Sequence, residues 1–347
     1  MEEVRFAIVG TGGIGRAHGT AMLQAPQVRL VALCDVLEER MEAFQQELEA
    51  PVRTYTDYVE LCKDPEVDAV FVGTPNQWHV PVALEAVKQG KHVLVTKRLA
   101  DSKASARQLV EAAEAAGVVN MMSFTMRFSD PVQYLGDLRS DGVFGELYYA
   151  RARSVRRSGI PDWSLGFIQK GGGAFRDMGV HVLDASWWLL GMPRPVSVTG
   201  VSGAKFGPRG QGYWDFRQPP AEYYTEYASD DYAGGFIRFE DGTGLQVESF
   251  WASHQEPELQ IELFGTEAGA KLKPLTLYST VNGAPHDTTI ELPGEVSAMG
   301  RRIFGHFVDC VLNGVPCEAP LRHGLVVQEM MEALLESAET GQEVRFD

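Results

Sequence analysis

The chain has 347 residues, 44% of them hydrophobic, and a formal net charge of -16 at pH 7. That length supports two hydrophobic cores rather than one. The negative charge excludes a nucleic acid or an anionic membrane as the expected partner, because neither polyanion would be attracted. No apolar run approaches the roughly 20 residues of a membrane-spanning helix, and the N-terminus enters a strand without a signal-peptide pattern. A cytoplasmic protein acting on a small molecule is expected.

In chain order, Val4 to Val9 reads as a strand, and Gly10-Thr11-Gly12-Gly13-Ile14-Gly15 then opens a helix. Gly10 lets the chain turn off the strand, Gly12 lets the backbone approach a pyrophosphate, and Gly15 lets the helix pack close to the sheet. A second apolar run, Val28 to Cys34, ends on Asp35. This spacing predicts a dinucleotide site. A carboxylate at that strand tip accepts from the adenosine ribose hydroxyls and repels a 2′-phosphate, so NAD is favoured over NADP. Val36 and Leu37 supply no cation for such a phosphate, although Arg40 is close. Asp35 also fits a helix N-cap before Glu38 and Glu39.

The alternation of strand and helix continues to about Thr125. Strands are predicted at 4–9, 28–34, 52–55, 67–73, 91–95 and 118–124, with helices near 14–24, 37–48, 57–63, 79–89 and 102–116. This is the pattern of a doubly wound parallel sheet, a Rossmann domain spanning 1–124. Ligands bind beyond the carboxyl ends of such strands, which singles out Gly10, Asp35, Thr74-Pro75-Asn76 and Thr96-Lys97-Arg98.

The remainder, 125–347, reads as an α+β domain. A helix near 131–139 precedes strands at 146–156, 195–202, 232–240, 243–252, 258–265 and 275–281, and helices near 299–313 and 322–339 close the chain. A large, mostly antiparallel open sheet follows, with one face free to pair two copies into a homodimer or homotetramer. Residues 203–229 interrupt it with Gly, Pro, Tyr213, Trp214, Phe216, Tyr223, Tyr224 and Tyr227. Such a segment suits an ordered lid or a subunit contact. Cys34, Cys62, Cys310 and Cys317 lack C-x-x-C spacing and read as packing residues.

The glycine run Gly171-Gly172-Gly173 opens onto a helical segment carrying Asp177, His181 and Asp184. Asp177 and His181 are four apart and share one face of an otherwise apolar helix. His181 is suited to exchange a proton with a carbinol oxygen near neutral pH. Asp177 either orients the imidazole or holds a neighbouring hydroxyl. Gly179, between them, costs helix stability, which close approach of another backbone or of the nicotinamide would explain. The plainer alternative is a core histidine with its hydrogen bonds satisfied. A metal set of Asp177, His181 and Asp184 is disfavoured because no Cys/His cluster of metal spacing accompanies it, and no metal centre is expected.

Together the Gly-x-Gly-x-x-Gly turn, the segment Gly73 to His79, the strand ending Thr96-Lys97-Arg98 and the 171–184 segment resemble the glucose-fructose oxidoreductase, inositol dehydrogenase and MocA family. The resemblance covers nearly the whole chain. Ser123 to Pro131, with Arg127 and Phe128, matches the family's crossing between domains, and Phe236 to Trp251 with Leu263 to Glu267 matches its sheet. The resemblance implies NAD(P)-dependent hydride transfer on a sugar, a sugar derivative or a cyclic polyol. Lys97, Asp177 and His181 are then the catalytic set and also touch substrate, with Trp163 either on a substrate-facing loop or an exposed packing residue. Thr11, Gly13, Ile14, Thr74, Pro75, Asn76, His79, Lys97 and Arg127 join Gly10, Gly12, Gly15 and Asp35 at the cofactor. Where the family carries Glu-Lys-Pro this chain has Thr96-Lys97-Arg98, which keeps the reaction class and leaves the substrate open. An NAD-retaining lyase or glycosidase working through transient oxidation, and a ligand sensor without catalysis, are alternatives. Retention of Lys97, Asp177 and His181 argues against the sensor.

Overall fold

A computed structural model describes residues 2–48, 52–293 and 298–346. The chain forms two compact units, Met1–Phe128 with Gly294–Gln328, and Ser129–Pro293 with Glu329–Asp347.

The first unit is built on six parallel strands: β1 (Val4–Val9), β2 (Val28–Cys34), β3 (Arg53–Tyr55), β4 (Ala69–Val72), β5 (His92–Val95) and β6 (Asn120–Met122). Their order is β3-β2-β1-β4-β5-β6. β4 is buried at every residue, as expected for a parallel sheet covered on both faces. The crossovers are α1 (Gly13–Met22), α2 (Glu38–Leu48), α3 (Tyr58–Lys63), α4 (His79–Lys88) and α5 (Lys103–Ala116). Strand order reverses at β1 and β4, so the carboxyl ends of this pair mark the ligand crevice.

The second unit begins with α6 (Asp130–Ser140) and β7 (Leu147–Val155), followed by α7 (Val180–Leu189), β8 (Pro195–Gly203) and the short α8 (Ala221–Thr225). β9 (Tyr232–Phe239), β10 (Gly244–Phe250), β11 (Glu258–Gly265), β12 (Ala268–Lys271), β13 (Thr276–Val281) and β14 (Ala284–Thr289) come next. With β15 (Val344–Arg345) they form a nine-stranded sheet, β14-β13-β12-β11-β7-β10-β9-β8-β15. Among its pairs only β7 with β10 is parallel. From Tyr149 onward β7 alternates partly exposed and buried residues. α7, buried at nearly every position, packs on β7, β10 and β11. The opposite face carries Arg151 and Arg153 paired with Glu258 and Glu262, beside the rings of Tyr149, Phe236 and Phe264.

Two helices close the chain, α9 (Ala298–Asn313) and α10 (Leu321–Thr340). The sequence division at 124/125 gives both to the second domain. The compact units instead take residues 294–328 into the first. The reason is packing: Phe304 and Phe307 lie 5.7 and 5.2 Å from the Phe6 ring, and Phe304 lies 6.1 Å from Phe71. Each buried ring of this cluster is worth about 1.5–3 kcal/mol. None of the described helices is long and apolar enough to cross a membrane.

Candidate active site

The glycine turn is shaped as its sequence requires. Gly10 has φ +91°, a conformation L side chains rarely adopt, and a Cβ there would lie 2.7 Å from the Thr74 backbone nitrogen. A Cβ on Gly15 would fall 1.8 Å from the Gly10 carbonyl oxygen, so α1 can approach β1 only without one. Gly12 and Gly13 differ, since a Cβ on either meets nothing within 4 Å. The start of α1 has no side-chain cap and no acidic residue in its first turn. Uncapped N–H groups at a helix N-terminus, beside an open glycine cradle, fit a pyrophosphate.

Asp35, 8% exposed, accepts from the Thr11 backbone N–H at 2.8 Å and from its hydroxyl at 3.0 Å through Oδ2, and from the Leu37 N–H at 3.1 Å through Oδ1. It therefore clamps the glycine turn to the end of β2. Ile14 and Val36 are more than half exposed near it, leaving apolar surface that suits an adenine ring.

At the ends of β4 and β5 the segments are joined by His79, which is 1% exposed. Its Nδ1 lies 2.7 Å from the Arg98 carbonyl and its Nε2 2.8 Å from the Thr74 carbonyl, with Thr96 Oγ1 3.1 Å from Nε2. Burial pushes this imidazole below its ordinary value, and the two carbonyls pull the other way. His79 thus ties the Thr74-Pro75-Asn76 turn to the Thr96-Lys97-Arg98 segment, whose Lys97–Arg98 peptide is cis. Thr74 Oγ1 is buried with no hydrogen-bond partner, and a buried hydroxyl left so calls for a ligand or a water. With the open glycine cradle, it fits the residues of this unit to a dinucleotide. Arg127 is fully buried; it donates to the Glu318 carbonyl at 2.5 Å, lies 3.1 Å from His323 Nδ1 and covers the Phe124 ring. His18 Nε2 lies 2.7 Å from Ser123 Oγ, and its ring stacks on Phe71 at 4.7 Å.

In the second unit, residues Phe175–Gly179 form a π-helical turn ahead of α7. Asp230 starts it, accepting from the Phe175 N–H at 3.0 Å, and Gly173 is required beside it because a Cβ there would lie 2.0 Å from Asp230 Oδ1. Burial pushes the Asp230 carboxyl up to about 6, against the Phe175 N–H and Arg176. The single-turn π insert, of a kind frequent at functional sites, carries Asp177. That carboxylate accepts the indole N–H of buried Trp251 at 3.1 Å. Arg156 lies within electrostatic range of it and covers the Trp214 ring at 4.9 Å. Asp177 and His181 are both partly exposed, between buried Phe175, Met178, Val180 and Val182. Gly179 has another explanation than the one expected: a Cβ would strike the Phe175 ring at 2.5 Å, so the glycine accommodates its own helix's aromatic. Asp184 is 1% exposed. Among the described residues Asp177, His181 and Asp184 do not form a metal-holding group, whereas His306, Cys310 and Cys317 converge.

The 203–229 segment is an ordered cap on its own unit. Asp231, fully buried, accepts from the N–H groups of Lys205, Phe206 and Gly207 at 2.6–3.0 Å. Tyr213 is fully buried, and its hydroxyl donates to the Tyr223 carbonyl at 2.7 Å. These rings pack with Ile160, Ile168, Met178 and Trp251. Trp163, 56% exposed, meets Trp214 edge-on at 5.5 Å and Phe167 at 5.9 Å. Sequence reasoning missed Trp251, Arg156 and Asp230, which reach the π turn from far along the chain. The one available signal was the alternation of β10, which continues inward to Trp251.

Residues 4–124 match the family model described as an oxidoreductase family with an NAD-binding Rossmann fold, and residues 132–271 match the GFO/IDH/MocA C-terminal domain. D-glucoside 3-dehydrogenase of Escherichia coli K12 is 31% identical over 99% of this chain and 97% of its own. The NAD(+)-dependent scyllo-inositol 2-dehydrogenase of Bacillus subtilis 168 is 28% identical over 90% of this chain and 87% of its own. A levoglucosan dehydrogenase solved with NADH and levoglucosan superposes with a TM-score of 0.87 at 19% identity, covering 99% of both chains, a likeness of fold. The chain is an NAD-binding enzyme and belongs to the GFO/IDH/MocA oxidoreductase family.

Proposed function

We propose that the enzyme transfers hydride between a secondary alcohol of a sugar, sugar derivative or inositol and NAD. The observation that carries the reading is the partly exposed pair Asp177 and His181, set among buried Phe175, Met178, Val180 and Val182, with Asp177 fixed by the Trp251 indole. NAD, when bound, supplies the hydride acceptor. His181 takes the hydroxyl proton as the carbinol C–H leaves as hydride, and returns it in the reverse direction. Lys97 is the cation at the developing alkoxide. Asp177 holds a neighbouring substrate hydroxyl, and Trp163 with Trp214 offers an aromatic wall to a sugar ring. His79 acts as a positioning residue, keeping the segments around Thr74 and Lys97 in register. Gly10 to Gly15, Asp35 and the Thr74-Pro75-Asn76 turn hold the cofactor, and Arg127 supports it through the buried contacts it makes.

The names of the relatives support polyhydroxylated substrates, since they act on a D-glucoside and on scyllo-inositol. A screen of glycosides, free sugars and inositols with NAD, following absorbance of the reduced cofactor, tests the reading. Net NADH formation with one of these classes is expected. Product formation without net NADH would replace the reading by transient oxidation, and one relative, 28% identical over 99% of this chain, is named as a hydratase. The mixed aromatic and ion-paired face of the nine-stranded sheet supports pairing of two copies, which light scattering on the purified protein would measure.

A further inference from the structure

We infer that His306, Cys310 and Cys317, none of which has a part in the proposed redox reaction, form a binding site for one thiophilic divalent cation, zinc foremost, in the first unit. His306 and Cys310 are four apart on α9 and so share a helix face, and Cys317 follows on the connection to α10. One ligand atom from each lies within 4.8 Å of the other two. Cys310 Sγ is 3.5 Å from His306 Nε2. Tetrahedral zinc, with bonds of about 2.3 Å to sulfur and 2.0–2.1 Å to nitrogen, brings its donors about 3.5–3.8 Å apart. The three side chains need only small movements to reach that geometry.

The donors also sit on fixed backbone. The Met122 N–H donates to the Ala319 carbonyl at 2.7 Å, the Leu321 N–H to Asn120 Oδ1 at 3.1 Å, and Arg127 to the Glu318 carbonyl at 2.5 Å. The connection is thereby held against the edge strand β6. Two thiols and an imidazole are a soft donor set, which selects zinc over magnesium or calcium. Asp309 and Glu318 add negative charge within range of His306 and Cys310, which a dication would offset. The His306 Nε2 lone pair now accepts the Glu318 N–H at 2.9 Å, and the metal would take that lone pair over. Three protein donors leave one position to solvent. Such a site would staple α9 and the following connection together, and its effect would fall on stability.

The test uses the full-length chain, reduced and freed of metal, titrated with Co²⁺ and then Zn²⁺. One equivalent of Co²⁺ is expected to give the intense visible absorption of a tetrahedral site with a sulfur-to-cobalt charge-transfer band, both bleached by Zn²⁺. Cys310→Ser and Cys317→Ser should each weaken Zn²⁺ binding by about 10²-fold or more and lower the charge-transfer band. Zn²⁺ should raise the melting temperature of the wild type and not of these variants, with retained NAD affinity showing that they fold. No tetrahedral cobalt spectrum from the reduced wild type would overturn the proposal, whatever the variants do. So would a spectrum unchanged in folded Cys310→Ser and Cys317→Ser. Isolation of the pair as a disulfide that reductant restores without metal affinity would overturn it in favour of a redox pair.

Discussion

The indole N–H of Trp251 reaches Asp177 Oδ2 across 3.1 Å, linking the residue that leaves β10 to the π turn ahead of α7. A hydrogen bond to a charged group contributes about 1.5–3 kcal/mol. Trp251→Phe keeps most of the buried ring and removes the donor. Turnover should fall by about 10-fold or more while NAD affinity, measured by fluorescence titration, stays within error. An unchanged kcat/KM would mean that Asp177 needs no orientation from this side.

His181→Ala should lower kcat by about 10² or more, the usual weight of a positioned proton acceptor. Steady-state kinetics with the substrate found in the screen, alongside an NAD titration, checks this. Retention of most of the turnover would return His181 to a packing role.

Gly12 and Gly15 separate cofactor binding from folding. A Cβ at Gly12 meets no protein atom within 4 Å, whereas one at Gly15 would overlap the Gly10 carbonyl at 1.8 Å. Gly12→Ala should therefore melt close to the wild type, with stability changed by about 1 kcal/mol or less, and lose NAD affinity. Gly15→Ala should lose both. Calorimetry and NAD titration on the two variants decide it, and Gly12→Ala binding NAD normally would remove that glycine from the pyrophosphate site.

Asp35 carries two duties, clamping Thr11 and, in the cofactor reading, receiving the ribose. Asp35→Asn keeps an acceptor for the Thr11 N–H and removes the charge that opposes a 2′-phosphate. The ratio of NADP to NAD dissociation constants should narrow by about 10-fold, with the melting temperature little changed. Equal affinities in the wild type would show that the carboxylate does not face the ribose.

Asp230 links stability to pH. Burial raises its folded-state carboxyl to about 6, above the roughly 3.9 of an unfolded aspartate. The native state therefore binds the proton more tightly. The stability this contributes is complete below the unfolded value and is lost as pH rises through about 6. Asp230→Asn cannot ionise, so its stability relative to the wild type should improve by about 1–3 kcal/mol between about pH 4 and about pH 7. Urea denaturation of both proteins across that window measures the difference. A flat difference would mean that the Phe175 N–H and Arg176 together cancel the cost of burial.

Much of this was legible locally. The strands and helices of the first 125 residues are visible because apolar runs, glycine turns and N-caps are short-range signals, and Asp57 and Ser102 cap α3 and α5 as such residues do. What escaped depends on distance along the chain. α9 reads as an amphipathic helix, but nothing within it says that Phe304 and Phe307 will meet Phe6. β14 has all six residues exposed and so offers no period-2 alternation to read. The π turn is invisible because one extra residue in a helix leaves the apolar pattern nearly intact. Asp177 and His181 stood out as polar residues on a greasy segment, whereas Trp251, 74 residues from Asp177, has no local mark of its partner. Cys310 and Cys317 looked scattered because neither C-x-x-C nor a second histidine flags a cluster folded from a helix and the turn after it.

The cap formed by 203–229 carries one more consequence. Its chain is fastened at Asp231 by three backbone N–H groups and at Tyr213 by a buried hydroxyl, so its conformational entropy is surrendered during folding and not when a ligand arrives. A ligand that meets Trp163 and Trp214 therefore encounters a rigid template and is chosen by shape. Replacements at the fasteners would first appear as lost thermal tolerance. If those indoles face the substrate as proposed, replacing them would change which molecules are accepted more than it changes melting, so selectivity can drift there with little loss of fold.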